Sequence, residues 1–316
     1  MNSLLSICIP TYNRSDYLKE CLQTLIKQVR AYDIPIYVSD NASTDNTITV
    51  LQELKKQYSF LMFRQNSQNI GFDCNLFAAV EMASSQYVWS FSDDDIVLSS
   101  AICEILKALE EQPEVILLNY QHRSIDFQKI VSNNELGIYQ DQILIWDKYD
   151  KKILSHFSFV GAVVAKRIYW CASETKSFIG SGFIHTGVAI NAASHGKMYV
   201  ITSILVWLRG GSQSWLLREI EVLYCGWSLM VDKLSVRVSL EDREIIRRTV
   251  AIATVSLRNL IRLRIGGGYK SKHFLIIKKE YKGYSKLIAL LIALIPERLL
   301  KFAHVFCKNI KKLVFR

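Results

Sequence analysis

The chain has 316 residues, half of them hydrophobic, and its 39 Lys and Arg against 29 Asp and Glu give a formal net charge of +10. That length accommodates one large domain or two modest ones around a substantial core. The seven cysteines are dispersed without a CxxC pair, which is typical of reduced thiols in the cytoplasm and disfavours a disulfide framework or a zinc site. The first ten residues lack the basic and long apolar segments of a signal peptide, so we expect none.

Apolar runs and amphipathic helical patterns alternate through the first 120 residues. The apolar runs predict five strands, at residues 4–9, 34–39, 60–64, 87–91 and 115–120. Helical periodicity predicts helices between them, with Ser15 and Ser43 as candidate N-caps of the first two and Gly71 breaking the chain before the third. This alternation is typical of α/β proteins and predicts a parallel sheet covered by helices on both faces.

Polar side chains follow four of these strands at the point where each strand ends. The first strand is followed by Thr11, Tyr12 and Arg14, the second by Asp40, the third by Asn69, and the fourth by Asp93, Asp94 and Asp95. In parallel sheets, ligands bind at the carboxyl ends of the strands. Turn chemistry explains one such group, whereas four groups at one edge indicate a binding site.

The aspartate triplet, Asp93-Asp94-Asp95, lies between two apolar segments. Adjacent carboxylates repel one another and are costly to bury unpaired, so the triplet indicates a bound cation. Oxygen ligands favour Mg²⁺ or Mn²⁺, and Mg²⁺ sites typically combine one or two carboxylates with substrate phosphates. The alternative is an acidic turn that caps the helix predicted to start near Ser99.

Two common nucleotide-binding motifs are missing from the sequence. No GxGxxG follows the first strand, and GxxxxGK[ST] occurs nowhere in the chain. The glycine triplet at residues 266–268 lies in a basic helical region, where a hinge is the simpler interpretation. A dinucleotide dehydrogenase and a P-loop NTPase are therefore both disfavoured.

The polar motifs, taken in order and spacing, resemble those of the family 2 glycosyltransferases with the GT-A fold. The motifs are Pro10-Thr11-Tyr12-Asn13-Arg14, Ser39-Asp40-Asn41-Ala42-Ser43-Thr44-Asp45, Asn69-Ile70-Gly71 and Asp93-Asp94-Asp95. The resemblance covers roughly residues 4–120 and implies a GT-A, Rossmann-like, mostly parallel sheet flanked by helices. Residues 71–75 and 89–95 look like the bacterial O-antigen branch, which includes abequosyltransferase-like enzymes.

The resemblance also implies roles for the residues at matching positions. The nucleotide-sugar pocket would be lined by Thr11, Tyr12 and Arg14, with Asp40 accepting hydrogen bonds from the base. The cation, Mn²⁺ or Mg²⁺, would be coordinated by Asp95, with Asp93 assisting it or lying near the ribose and Asp94 beside them. Simpler roles remain open for three residues. Tyr12 is a packing side chain in the alternative. Asn69 would face the donor in the nucleotide-sugar site, or else shape the turn before Gly71. Asp45 is not interpreted as a ligand, because it would provide the negative charge at a helix N-terminus.

Family members of this type mostly transfer a sugar with inversion, with a general base taking the proton of the acceptor hydroxyl. That base is usually acidic, but no Glu-Asp pair stands in the expected region. Residues 178–185 instead offer His185 as a catalytic base or an additional metal ligand, since its ordinary pKa is close to working pH. A structural histidine is the alternative. Glu174 is a competing carboxylate, and His195 is interpreted as structural.

Arg209 follows a strand predicted over residues 199–208 and precedes two glycines. At that position it would hold a phosphate of the donor or the acceptor, or else be an ordinary surface arginine.

The positive charge lies toward the C-terminal end. Residues 215–316 carry 21 Lys and Arg against 8 Asp and Glu, whereas residues 1–120 carry 8 against 15. We predict a catalytic domain at 1–214 and a basic helical region at 215–316. The apolar run 287–295 is shorter than the ~20 residues of a spanning helix. Beyond Pro296, basic and apolar residues fall on separate helical faces, which indicates an interfacial membrane helix. A helix packed on the catalytic domain is the alternative.

These features predict a metal-dependent, inverting glycosyltransferase. The expected partners are a nucleotide-sugar donor, a lipid-linked saccharide acceptor and an anionic membrane surface, with the protein peripheral on the cytoplasmic face of the plasma membrane. The pathway would be O-antigen or capsule assembly. A nucleotidyltransferase is one alternative, although the glycine-rich signature after its first strand is missing. A non-catalytic nucleic-acid-binding protein is another, kept open by aromatics within the basic tail, but the acidic N-terminal half argues against nucleic acid.

Overall fold

Strands and helices alternate through the N-terminal part of the computed structural model, which describes residues 4–133, 136–212, 216–296 and 298–299. The strands are β1 Leu5–Thr11, β2 Ile36–Asp40, β3 Leu61–Gln65, β4 Tyr87–Ser90, β5 Ile96–Val97, β6 Val115–Arg123, β7 Ile130–Asn133, β8 Gln142–Ile145, β9 Val163–Lys166 and β10 Lys197–Arg209. The helices of the same half are α1 Ser15–Val29, α2 Thr47–Gln57, α3 Phe72–Met82, α4 Ala101–Leu109, α5 Arg167–Trp170 and α6 Ile184–Ala193.

The strands form one mixed sheet in the order β3-β2-β1-β4-β9-β6-β10-β5, with β7 beside β6 and β8 beside β10. The pairs among β1, β2, β3 and β4 are parallel, as predicted. Beyond β4 the sheet departs from the parallel pattern, because β9 runs antiparallel to both β4 and β6. β6 and β10 are parallel to each other. Both faces of the central strands are buried, as the continuous apolar runs required.

Strand register brings the predicted polar residues to one edge of the sheet. Thr11 pairs with Asp40 across β1 and β2, and Asp40 pairs with Gln65 across β2 and β3. Cys8 of β1 pairs with Ser90, the last residue of β4, so the aspartate triplet follows at the same end. The carboxyl ends of four consecutive strands therefore converge.

The predicted N-caps Ser15 and Ser43 are both wrong, and Asp45 serves the start of both helices instead. α1 begins at Ser15 and α2 begins at Thr47, not near Ser43. The Asp45 carboxylate accepts the backbone N–H groups of Ser15 at 3.0 Å and of Thr47 at 3.1 Å. Ser43 does not cap α2, because the helix begins four residues later and the Ser43 hydroxyl accepts the backbone N–H of Asn13 while it donates to Asp40. Asp45 thus supplies the negative charge at two helix N-termini, as the simpler interpretation held.

The second half of the described chain is helical. It contains α7 Trp227–Asp232, α8 Leu240–Arg247, α9 Leu257–Ile265, α10 Ser271–Ile277 and α11 Gly283–Leu294, with π-helical segments at Ile220–Gly226 and Arg248–Ile252. Trp227 packs edge-to-face on Phe183 at 5.2 Å between ring centroids. The helical region therefore rests on the segment that leads into α6. The proposed boundary at 214/215 stays a prediction.

In the described ranges, helices fall short of the combined length and apolarity that a bilayer crossing requires. The amphipathic helix predicted beyond Pro296 lies almost entirely outside the described residues.

Candidate active site

Arg14 and the aspartate triplet form the centre of the polar edge. The Arg14 guanidinium donates to Asp94 at 2.6 Å and to Asp93 at 3.3 Å through the same nitrogen, Nη1. The hydroxyl of Thr11 donates to the other oxygen of Asp93 at 2.7 Å. Ser212, just beyond β10, donates its hydroxyl to Asp94 at 2.6 Å. The first strand, the fourth strand and the end of β10 thus meet at one group of charges.

Burial governs the electrostatics of the triplet. Asp93, Asp94 and Asp95 are 6%, 6% and 2% exposed. Burial raises the pKa of Asp93 to about 7, and the adjacent Asp94 adds to the rise, while Arg14 and the Thr11 hydroxyl oppose it. Burial, again with Asp94, holds the pKa of Asp95 well above its usual range. Such carboxylates gain from a nearby cation, which is what the sequence indicated. The triplet does not cap α4, which begins at Ala101.

Arg209 holds the aspartate triplet through hydrogen bonds from its backbone and its side chain. Its backbone N–H donates to Asp95 at 2.8 Å, and its Nε donates to the backbone carbonyl of Asp94 at 2.7 Å. The guanidinium also donates to the carbonyl of Ile125 and pairs with Glu20 at 2.5 Å. Arg209 is only 5% exposed. Arg209 is therefore not a surface arginine but a buried side chain that holds the aspartate loop in place, and its predicted contact with a phosphate stays a prediction.

The residues present fit a divalent cation that also binds substrate. Across the described ranges, no three acidic, His or Cys side chains converge on one point, so the protein alone does not form a closed cage. Asp95 receives one hydrogen bond, from the Arg209 backbone, within the described part of the chain. Buried carboxylates with few protein donors suit a Mg²⁺ or Mn²⁺ ion that takes its remaining ligands from phosphate and water.

Asp40 lies inside the edge and is fully buried. Its carboxylate accepts the backbone N–H and hydroxyl of Ser43 and the side-chain amide of Gln65 at 2.8 Å. The resemblance led us to expect that Asp40 contacts the base of a nucleotide. In this structure the carboxylate organises the loop that follows β2, and the base contact stays a prediction.

An asparagine network extends the edge toward α3. Asn41 donates to Asn69 at 2.8 Å, and Asn69 also accepts the backbone N–H of Gly71 at 2.9 Å. Asn66 donates to Asn75 at 2.9 Å, and Asn75 donates to the carbonyl of Thr11. Asn69 thus shapes the turn before Gly71, as its simpler interpretation held. Asn41, Asn66 and Asn75 received no roles from the sequence, although Asn41 and Asn66 directly follow strands β2 and β3, which was a usable signal.

Tyr12 stands on the solvent side of this edge. It is 43% exposed, so it is not a packed core side chain. The turn that carries it is rigid, because Asn13 receives a hydrogen bond from the backbone of Thr44 at 2.8 Å and donates its own N–H to Ser43 at 2.8 Å. An exposed aromatic ring on a fixed turn can stack on a planar ligand.

His185 does not join the aspartate triplet by any hydrogen bond that the described residues show. It is 2% exposed, and its Nε2 lies 3.3 Å from the carbonyl of Ser158. Its ring packs against Phe72 and Phe183 at about 6 Å between centroids. Burial lowers the pKa of His185 to about 4. Among the residues that the structure describes, Nδ1 finds no hydrogen-bond partner.

Asp73 links the start of α3 to the loop before α6, a role that was not predicted from the sequence. Its carboxylate accepts backbone N–H groups from Gly180 and Gly182, each at 2.8 Å, and from Ile184 at 3.2 Å. Gly180 and Gly182 both have positive φ, which a side chain would strain. Asp73 therefore fixes the approach to His185. The paired glycines of the loop hinted at such an anchor without identifying it.

Comparison with known proteins shows which family the chain belongs to. The family described as glycosyl transferase family 2 matches residues 6–170, about half of the chain. The chain belongs to this family. Abequosyltransferase RfbV of Salmonella typhimurium is 30% identical over 227 residues, which cover 67% of this chain and 68% of the relative. A Campylobacter jejuni enzyme named GalNAc(5)-diNAcBac-PP-undecaprenol beta-1,3-glucosyltransferase is 32% identical over 109 residues, 34% of this chain and 35% of that one.

Solved structures confirm the GT-A fold. S. aureus TarS in complex with UDP-GlcNAc superimposes with a TM-score of 0.62 at 15% identity, covering 88% of this chain and 85% of TarS. A mannosyltransferase of Pyrobaculum calidifontis, in complex with GDP-Man and Mn²⁺, gives 0.54 at 16% identity, covering 99% and 88%. Membership of the family and the 30% identity to an abequosyltransferase make the protein a glycosyltransferase, which sets aside the nucleotidyltransferase and nucleic-acid-binding alternatives.

Proposed function

We propose that this glycosyltransferase moves a sugar from a nucleotide-sugar donor to a lipid-linked saccharide, with inversion and with a divalent cation. The pathway would be surface polysaccharide assembly, at the inner face of the plasma membrane. One observation carries the proposal: three buried carboxylates at the carboxyl edge of the sheet, with Arg14 as their cationic partner. The names of an abequosyltransferase and of an undecaprenol-linked glucosyltransferase among the relatives support the pathway and the acceptor.

The bound cation, Mn²⁺ or Mg²⁺, would supply the charge that neutralises the leaving nucleoside diphosphate. Asp95 and Asp93 are the residues that would hold it. Their positions are set by the Arg209 backbone and by the Thr11 hydroxyl, respectively. Arg209 acts as a positioning residue in this scheme, because its side chain is committed to Asp94, Ile125 and Glu20.

Arg14 and Tyr12 would bind the donor directly. The guanidinium is partly exposed and presents several N–H donors that match phosphate oxygens. Arg14 donates to Asp93, to Asp94 and to the backbone carbonyl of Ser212, and beside this edge its guanidinium would also donate to the diphosphate. The exposed ring of Tyr12 would stack on the base.

His185 would shape the acceptor side and would not serve as the general base. A base with a pKa of about 4 that is enclosed by Phe72 and Phe183 is poorly matched to a hydroxyl proton at neutral pH. The structural alternative is therefore the one we propose. His185→Gln should keep kcat within about tenfold of wild type, whereas loss of a general base typically costs 10²–10⁴-fold.

The proposal is tested by release of nucleoside diphosphate from a panel of nucleotide sugars, with an undecaprenyl-diphosphate saccharide and Mn²⁺ present. We expect one donor to be turned over and Asp95→Ala to abolish the turnover. Asp45→Ala is the matched control, since Asp45 is an exposed carboxylate at the same edge. Turnover by Asp95→Ala at the wild-type rate would remove the metal site from the scheme. Analysis of the product anomer would test inversion.

A further inference from the structure

Helix α11, Gly283–Leu294, turns its large apolar side chains toward solvent. Its exposed residues are Tyr284 at 87%, Leu287 at 53%, Ile288 at 45%, Leu291 at 48% and Leu294 at 58%. Residues 284, 287, 288 and 291 follow the three- and four-residue spacing of one helical face. The buried residues of the helix are Ala289, Ile292 and Ala293, so two of the three are small. An ordinary surface helix has the reverse arrangement, with large apolar residues inside.

The exposed apolar surface continues beyond α11. Leu275 and Ile276 of the neighbouring helix α10 are 64% and 40% exposed, and Leu299 is 61% exposed. Scattered apolar residues on a surface are normal, but a row of them along one helix marks an interaction site. The described contacts leave this row without a protein partner.

The sequence on either side of the row is strongly basic. Residues 270–316 contain twelve Lys and Arg against two Asp and Glu. Lys278, Lys279, Lys282 and Lys286 are exposed, and none of them forms an ion pair within the described part of the chain. Glu280, the acidic residue among them, receives a hydrogen bond from Tyr224.

We propose that the outer face of α11, formed by Tyr284, Leu287, Ile288, Leu291 and Leu294, docks on an anionic lipid bilayer. A second copy of the chain fits the face less well, because pairing would bring two clusters of lysines together without countercharges. A bilayer satisfies both features at once: acyl chains receive the apolar side chains, and anionic headgroups receive the lysines. With 12 residues the helix is about 18 Å long, so it would lie in the interface and not cross it.

The docking surface deepens the proposed function, since a lipid-linked acceptor is held at a bilayer. Its evidence is independent of the active site, because α11 contributes none of the residues of the polar edge. The two proposals can therefore fail separately.

Vesicle flotation of the full chain tests the surface. We expect wild type to float with vesicles of phosphatidylcholine and phosphatidylglycerol at about 0.1 M salt, and to bind pure phosphatidylcholine at least tenfold more weakly. Leu287→Gln combined with Leu291→Gln should weaken binding to the anionic vesicles by at least tenfold. The matched control is Ile168→Gln combined with Leu240→Gln, two residues that are 70% and 84% exposed on other helices; it should float like wild type.

Three results would overturn the inference. The first is a wild type that does not associate with anionic vesicles, and the second is a Leu287/Leu291 variant that floats as well as the control. The third is a wild-type dimer in light scattering that the variant abolishes, which would assign the face to a second copy. A thermal shift with nucleoside diphosphate and Mn²⁺ is measured on each variant. A variant whose thermal shift equals that of wild type has an intact fold and donor site. If wild type floats normally but shows no thermal shift with nucleoside diphosphate and Mn²⁺, the result counts against the proposed function and not against the docking surface.

Discussion

Asp73→Asn isolates the anchor between α3 and the loop before α6. The change keeps the shape of the side chain and replaces one carboxylate oxygen with an amide nitrogen. Asp73 is 5% exposed and accepts three backbone N–H groups. Its Oδ2 serves Gly180 and Gly182, and its Oδ1 serves Ile184. An asparagine in either orientation leaves at least one of these donors facing an NH₂ group.

The cost follows from the number of donors left unpaired. A buried donor without an acceptor costs about 1–3 kcal/mol, and bonds to a charged acceptor are stronger than neutral ones. With one or two donors unpaired, we expect the free energy of unfolding to fall by roughly 2–5 kcal/mol. For a chain of this size that corresponds to a Tm lower by roughly 3–8 °C. The acceptor side should lose its geometry as well, so kcat should fall.

Thermal unfolding followed by circular dichroism, with urea unfolding beside it, measures the loss. Asp45→Asn is the matched control, because Asp45 also accepts backbone N–H groups, from Ser15 and Thr47, but is exposed to water that can replace it. We expect the control to cost no more than about 1–2 kcal/mol, the range of a lost helix cap. If Asp73→Asn proves no more costly than Asp45→Asn, the reasoning from buried donors is wrong.

Three further changes probe the charges. Arg14→Gln should raise the Kd for nucleoside diphosphate about 10–100-fold by isothermal calorimetry, because a charge-assisted hydrogen bond of roughly 1.5–3 kcal/mol is lost; an unchanged Kd would remove Arg14 from the donor site. His185 has a folded pKa of about 4, against 6.5 for a free imidazole. The neutral, buried imidazole therefore contributes its full stabilisation above pH ~6.5, and this stabilisation is lost as the pH falls toward ~4. His185→Gln should reduce the fall in unfolding free energy between pH 7 and 5 by roughly 2 kcal/mol in urea titrations, and parallel wild-type and variant profiles would contradict this. Arg209→Lys should lower the unfolding free energy by roughly 2–4 kcal/mol, since a lysine cannot reach Asp94, Ile125 and Glu20 together; a loss below about 0.5 kcal/mol in thermal unfolding would argue against a buried anchor.

The parallel strands and their polar ends were predictable because both signals are local. A buried parallel strand is a continuous apolar run, and the residue that follows it is read directly from the sequence. Thr11, Asp40 and Asp93 were placed at one edge in this way, and strand register confirmed their placement. The antiparallel insertion of β9 between β4 and β6 was not predictable, because that pairing joins segments far apart in the chain.

The burial and the contacts of individual side chains could not be predicted, because they depend on residues far away in the sequence. Arg209 follows a strand and precedes two glycines, so the sequence offered an open loop, yet Glu20 and Ile125 enclose its guanidinium. The pKa of His185 is lowered by burial that involves Phe72, which lies on another helix. Asp73 looked like an ordinary acidic residue in the first turn of a helix. Its true partners became visible only when the loop before α6 was folded against it.

Calorimetric titration of wild type and Asp95→Asn with the nucleoside diphosphate of the preferred donor, with and without Mn²⁺, tests the central claim most directly. The account predicts that Mn²⁺ strengthens binding to wild type at least tenfold and leaves the affinity of Asp95→Asn nearly unchanged. Equal affinities of wild type with and without the ion would contradict a cation held between the aspartate triplet and the diphosphate.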